Sequence, residues 1–175
     1  MKQRFFTFFL VWGVMSVYTP LIYALNPPVS AKSIPVKEAV IKIPDILVGR
    51  DSAPIKIIEY SSLTCGHCAQ FHKEVFPKLK EKYIDTGRAH LIFRHFPIDL
   101  PAVNATAIIS QASPLAQWGL VNKLFENQSQ WVSHDSVDAI AKIVGMSLQS
   151  CQKIVTNKML SKSILQHRLD IEKQI

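Results

Sequence analysis

With 175 residues and 48% apolar content, the chain is long enough to build one domain with its own core and too apolar to be disordered. Its formal charge is +7, of which Lys2 and Arg4 supply two, and the basic residues from Lys78 to Lys162 are scattered. They form no dense stripe interleaved with aromatics, so no nucleic-acid partner is expected.

Residues 1–24 read as a signal peptide. Met1-Lys2-Gln3-Arg4 is a short basic region, Phe5 to Tyr18 is apolar, Thr19-Pro20 breaks the helix, and Ala24 offers a small residue before a cut. Val29-Ser30-Ala31 is a second candidate site. An uncleaved anchor is the rival reading, because Phe5 to Leu25 is just long enough to span a bilayer. Either way the rest of the chain is expected in an oxidising compartment, where thiols pair or work.

Residues 25–45 form an extended N-terminal segment, with Asn26 to Lys37 rich in Pro and Ser and a short edge strand expected at Val40 to Ile43. Gly49-Arg50-Asp51-Ser52-Ala53-Pro54 is turn chemistry leading into an apolar strand at Ile55 to Tyr60. Then comes Cys65-Gly66-His67-Cys68, followed by Ala69, Phe71, His72, Val75, Phe76 and Leu79 at helical spacing. This helix is expected to run to about Tyr83, bent by Pro77. Asp85-Thr86-Gly87 ends it. Ala89 to Phe96 reads as a second strand with Leu91, Phe93 and His95 on one face, and Phe71, Phe76, Phe93 and Phe96 read as core.

Beyond Ala102 the strand signals cease. Ala102 to Ala112, Leu115 to Glu126, Asp135 to Val144, Leu148 to Thr156 and Met159 to Ile171 each show apolar spacing near 3.6 residues. Ser133 and Ser147 are candidate N-caps, and Gly145 a candidate C′ residue. The strands flanking the first helix predict a parallel crossover.

The tetrad carries the chemistry. Two sulfurs three positions apart in a first helical turn can close a small disulfide. The first, Cys65, lies over the unpaired N–H groups and positive end of the helix, which favours the attacking thiolate. The third cysteine, Cys151, lies in a helical pattern and reads as a small buried apolar group. A resolving thiol or an intermolecular bridge are its functional alternatives. A metal site built from Cys65, Cys68 and His72 is a competing reading. It lacks a fourth ligand and any second C-x-x-C, and neither a metal nor a cofactor is expected.

Val48 to Pro54 leading into Ile58-Glu59-Tyr60-Ser61, the tetrad, Phe71-His72 and Phe93-Arg94-His95-Phe96-Pro97 together resemble the DsbA-like thiol-disulfide oxidoreductases of the thioredoxin superfamily. The resemblance implies an α/β thioredoxin-like fold over 46–175, interrupted by a helical insertion at about 102–171. It implies a periplasmic enzyme that forms or exchanges disulfides in reduced or misoxidised exported polypeptides. A membrane redox partner, of DsbB type for an oxidase or DsbD type for an isomerase, is also implied. Cys65 is then the exposed nucleophile, Cys68 the resolving thiol, and His67 the neighbour that stabilises the Cys65 thiolate. Glu59 is either a buried proton carrier for Cys68 or an acid facing solvent from an edge strand. His72 reads as a surface residue. Gly66 stands where many DsbA proteins have Pro, which leaves oxidase, isomerase and reductase behaviour open. The family closes its fold with a β-hairpin entered through a cis-proline, and then a last helix. No proline follows Pro114 here and the sequence stops at Ile175, so a shortened copy is expected. One edge of the Ile55 to Tyr60 strand would then be uncovered. A non-catalytic remnant of the family is the alternative this raises.

Overall fold

The structure, a computed structural model, describes residues 41–132 and 137–175. The signal peptide, residues 25–40 of the extended segment and Ser133 as an N-cap lie outside the described residues.

Three strands form one sheet in the order β1-β3-β2: β1 is Ile46–Val48, β2 is Ile55–Ser61 and β3 is Ala89–His95. The central strand β3 pairs antiparallel with β1, placing Ile46 opposite Phe93, and parallel with β2, placing Ile55 opposite Ala89 and Ser61 opposite His95. Leu91, Phe93 and His95 are all buried, as their spacing of two predicts. Among the described residues β2 has β3 as its single partner, and Ile55 and Ile58 are exposed along it at 52% and 41%. Among the described residues, then, the outer edge of β2 is unpaired. The strand expected at Val40 to Ile43 is not found: residues 41–45 have no regular structure, and the edge strand begins after Pro44. There Ile43 is buried against Leu160 and Ile164, and the Ile41 N–H donates to Ser163 Oγ at 3.0 Å, so tertiary packing claims this stretch instead of the sheet.

The parallel connection from β2 to β3 is a single helical run over 66–84, called α1 here. It alternates α-helical and wider π-type turns: Gly66–Gln70, Phe71–Val75 (π), Phe76–Leu79 and Lys80–Ile84 (π). Pro77 lacks an N–H to continue the ladder. The turn before it widens, and the Phe76 N–H reaches back five residues to the Phe71 carbonyl. The widened turn falls directly before Pro77, where the bend is expected. Gly87, at φ +73°, ends the run, and the Thr86 hydroxyl donates to the Lys82 and Tyr83 carbonyls.

Among the described residues six further helices follow: α2 (Leu100–Ser110), α3 (Pro114–Glu126), α4 (Gln128–Val132), α5 (Val137–Val144), α6 (Leu148–Val155) and α7 (Lys158–Glu172). The sequence periodicity predicts five of them and misses the short α4. Asp99, Ser147 and Asn157 cap α2, α6 and α7 by accepting backbone N–H bonds, and Gly145 adopts φ +76° after α5. The main core joins the sheet to the helices through Phe93, Ile108, Ile109, Leu124, Phe125, Trp131 and Cys151. Each large apolar side chain buried there contributes about 1.5–3 kcal/mol. Trp131 satisfies its indole N–H on the Leu124 carbonyl at 2.9 Å. Phe76 and Phe93 are core as expected, whereas Phe71 and Phe96 are half-buried, Phe96 lying under the Arg168 guanidinium.

Candidate active site

β2 ends at Ser61, and a short turn follows whose Cys65 N–H donates to the Ser62 carbonyl at 3.1 Å. Cys65 has extended backbone (φ −73°, ψ 119°) and is the N-cap of α1. Its sulfur takes the place usually held by a Ser or Asp oxygen and accepts the Cys68 N–H at 3.4 Å. Cys68 sits one turn further in, packed on the main core. Both thiols are unbridged and half-buried. Burial pushes the Cys68 thiol up, the hydrogen bond with Cys65 adds to this, and the Ser61 hydroxyl and Ser62 backbone pull it partly back.

The turn is held from outside. Gln128, the first residue of α4, donates its side-chain amide to the Leu63 carbonyl at 2.8 Å and to the Cys65 carbonyl at 3.0 Å. Sequence reading misses this residue, because nothing local links two positions more than sixty residues apart.

An apolar cavity of about 380 Å³ lies beside the tetrad, lined by Ile57, Ile58, Tyr60, Phe71 and Leu91 and by the polar groups of Glu59, His67 and Cys68. Glu59 and Cys68 thus face one space. The Glu59 side chain is only 13% exposed, so it does not face solvent from the strand. His67 is exposed, and its ring makes no hydrogen bond to Cys65.

His72 departs most from expectation. It is buried, not on the surface, with its side chain 3% exposed. Its Nε2 lies 3.0 and 3.2 Å from the two Glu59 oxygens. Phe125 packs on the ring at 4.2 Å between centroids, with Trp118, Phe76 and Phe93 around it. It stands four residues after Cys68 and four before Phe76, on the face of α1 that meets the core. Among the described residues no group of three His, Cys, Asp or Glu side chains is placed to hold a metal ion.

The thioredoxin family's sequence profile matches residues 42–174. The crystal structure of Wolbachia pipientis alpha-DsbA1 superposes with a TM-score of 0.65 and 33% identity, over 77% of this chain and 71% of that one. A protein-disulfide isomerase from Novosphingobium aromaticivorans shares the fold at a TM-score of 0.66 with 20% identity, over 77% and 82%. Among curated sequences, the disulfide bond formation protein D of Bacillus subtilis is 27% identical over 104 residues, which is 55% of this chain and 47% of that protein. The Bacillus cereus protein of that name is 33% identical over 104 residues, 54% and 48% of the two chains. The chain spans about half the length of the curated relatives it matches. Sheet, helical insertion and N-capping cysteine define a thioredoxin-like fold that carries a C-x-x-C pair. The chain belongs to the thioredoxin family, in its DsbA-like branch.

Proposed function

We propose that the chain is an exported, periplasmic protein thiol-disulfide oxidoreductase working through the Cys65–Cys68 couple. One observation carries the reading: the Cys65 sulfur stands at the open end of α1, accepting a backbone N–H, with Cys68 one turn inward. A thiolate formed at Cys65 meets the unpaired N–H groups and positive end of α1.

In the oxidising direction a client thiolate attacks Cys65 Sγ of the enzyme disulfide. The Cys65–Cys68 bond breaks, and Cys68 leaves with the electron pair and takes up a proton. A second client thiolate then attacks the client sulfur of the mixed disulfide and releases Cys65 as thiolate, so the client is oxidised and the couple reduced by two electrons. In the reducing direction Cys68 attacks Cys65 Sγ and expels the client sulfur. Glu59, which lines the same cavity as Cys68, is the acid we assign to carry that proton. His67 is free to place its ring over an incoming sulfur. The clients are reduced or misoxidised exported polypeptides, and a membrane redox protein of DsbB or DsbD type resets the couple. The basic and apolar character of residues 1–24 supports export.

The test is the reduction potential of the couple on folded protein, together with dithiol exchange against a reduced peptide. Wild-type chain should cycle and Cys65→Ser should not. A folded chain that never cycles would leave the non-catalytic alternative, which the bare edge of β2 favours.

A further inference from the structure

Cys68 is a half-buried thiol whose ionisation burial opposes, and attack by it on a mixed disulfide requires that its proton go somewhere. Glu59 borders the same cavity, but a carboxyl on β2 can rotate away unless something fixes it. His72 is placed to do so. Its Nε2 approaches both carboxylate oxygens, from a ring that the aromatic side chains of α1, α3 and β3 hold on several sides. Its Nδ1 is buried without a hydrogen-bond partner. An imidazole with its proton on Nε2 donates to Glu59 and leaves only a bare acceptor at Nδ1, which costs less than a buried unpaired N–H.

We propose that His72 is a positioning residue that fixes the Glu59 carboxylate as the proton acceptor and donor for Cys68. The proposal rests on the exchange reading above and adds a residue to it. In the release step the Cys68 S–H proton passes to a Glu59 oxygen, and the Cys68–Cys65 bond forms. The bond from Cys65 to the client sulfur breaks, and that sulfur leaves with the electron pair. In the reverse step Glu59 returns the proton to departing Cys68. The other titratable groups near the pair are His67 and Tyr60 on the Glu59 side, and Lys73 and Glu126 around the cavity of about 280 Å³ on the His72 side.

The experiment measures two rates on the full chain. The first is attack of a reduced peptide on the oxidised couple; the second is release of that peptide from a preformed mixed disulfide at Cys65. His72→Phe keeps the aromatic packing and loses the bond to Glu59. It should slow release at pH 7 by about tenfold to a hundredfold, the range for a misplaced proton-transfer group. Its release rate should also rise more steeply with pH than wild type, because the Cys68 proton must then leave to solvent. His72→Gln, which keeps an amide donor, should recover most of the rate. Glu59→Gln should slow release equally, and His72→Phe should add nothing in that background. A His72→Phe protein that releases at the wild-type rate with the wild-type pH profile overturns the proposal. So does a slowing that is undiminished in the Glu59→Gln background, which marks a packing defect. If His72→Phe does not fold, His72→Leu takes its place: slowing that His72→Gln does not share supports the proposal, and a wild-type rate and pH profile overturn it. Wild-type chain that performs neither step refutes the exchange reading itself.

Discussion

The Gln128 side chain donates one amide group to two carbonyls, those of Leu63 and Cys65, and so ties the first turn of α4 to the turn that presents the nucleophile. Truncation to Gln128→Ala removes the donor to the Leu63 carbonyl, while the Cys65 carbonyl keeps the Ala69 N–H at 3.1 Å. The expected loss is about 1–2 kcal/mol in urea unfolding. A faster alkylation of Cys65 should accompany it, because the turn is then free to open. Gln128→Glu, which replaces the donor by an acceptor, should cost more.

Cys151 is fully buried in the main core, on a helix that packs against α2, α5 and α7. Cys151→Ala should leave dithiol exchange unchanged and cost about 1 kcal/mol. Cys151→Ser, of nearly the same size, should cost about 1–3 kcal/mol, because a hydroxyl there has lost water and gained no partner. A resolving role would instead show as an enzyme trapped in mixed disulfides when Cys151 is removed.

His95 ends β3 with its ring wholly buried and Nδ1 3.4 Å from the Thr106 hydroxyl. Burial, and then the nearby His167, push its pKa down to about 3 from an ordinary 6.5. The folded state therefore refuses a proton that the unfolded chain accepts below pH 6.5. Stability from this group is complete above that pH and declines as the pH falls toward 3, by up to about 1.4 kcal/mol per pH unit. His167, lowered first by burial as well, acts with the same sign. Urea midpoints between pH 4 and 7 should fall with acidity in wild type and fall less in His95→Gln.

Gly49, directly after β1, has φ +100°, and a Cβ added there would meet Ile84 Cγ2 at 2.7 Å. Gly49→Ala should cost about 2 kcal/mol or more, from backbone strain and the clash together. Differential scanning calorimetry checks it. Gly66, which has open space around its Cα, should accept Ala with little loss of stability.

Ile55 and Ile58 lie exposed along a strand whose outer edge has no partner among the described residues. Replacing either by Lys should lower concentration-dependent light scattering with little change in unfolding free energy. Equal scattering from wild type and both variants would show that this edge does not self-associate.

Much of this molecule was legible from its residue order. Period two in Ala89 to His95 gave the central strand and its buried face, and period 3.6 gave five of the six helices after β3, because those faces do bury in one core. What stayed hidden depended on contacts between distant positions. Ile41 to Ile43 alternates like a strand, yet packing on Leu160 and Ile164 wins over sheet pairing. His72 looks like a surface residue by its polar type, yet Cys68, His72 and Phe76 stand four apart on one helical face, and that face meets the core and Glu59, thirteen positions earlier in sequence. The three-residue interval of the tetrad, by contrast, is local, and the two cysteines sit as that interval requires.

The widened turn before Pro77 makes the number of residues between Cys68 and Pro77 a constraint in its own right. Excising Ala69 or Gln70, ahead of that turn, would shorten the run with the wide turn still in place. Everything downstream would then swing by about 100° about the axis, and Phe76 would be carried off its seat beside Leu91 and Ile84. Length in this interval is therefore expected to be less forgiving than chemistry: side chains there can be exchanged one for another more readily than the segment can be shortened.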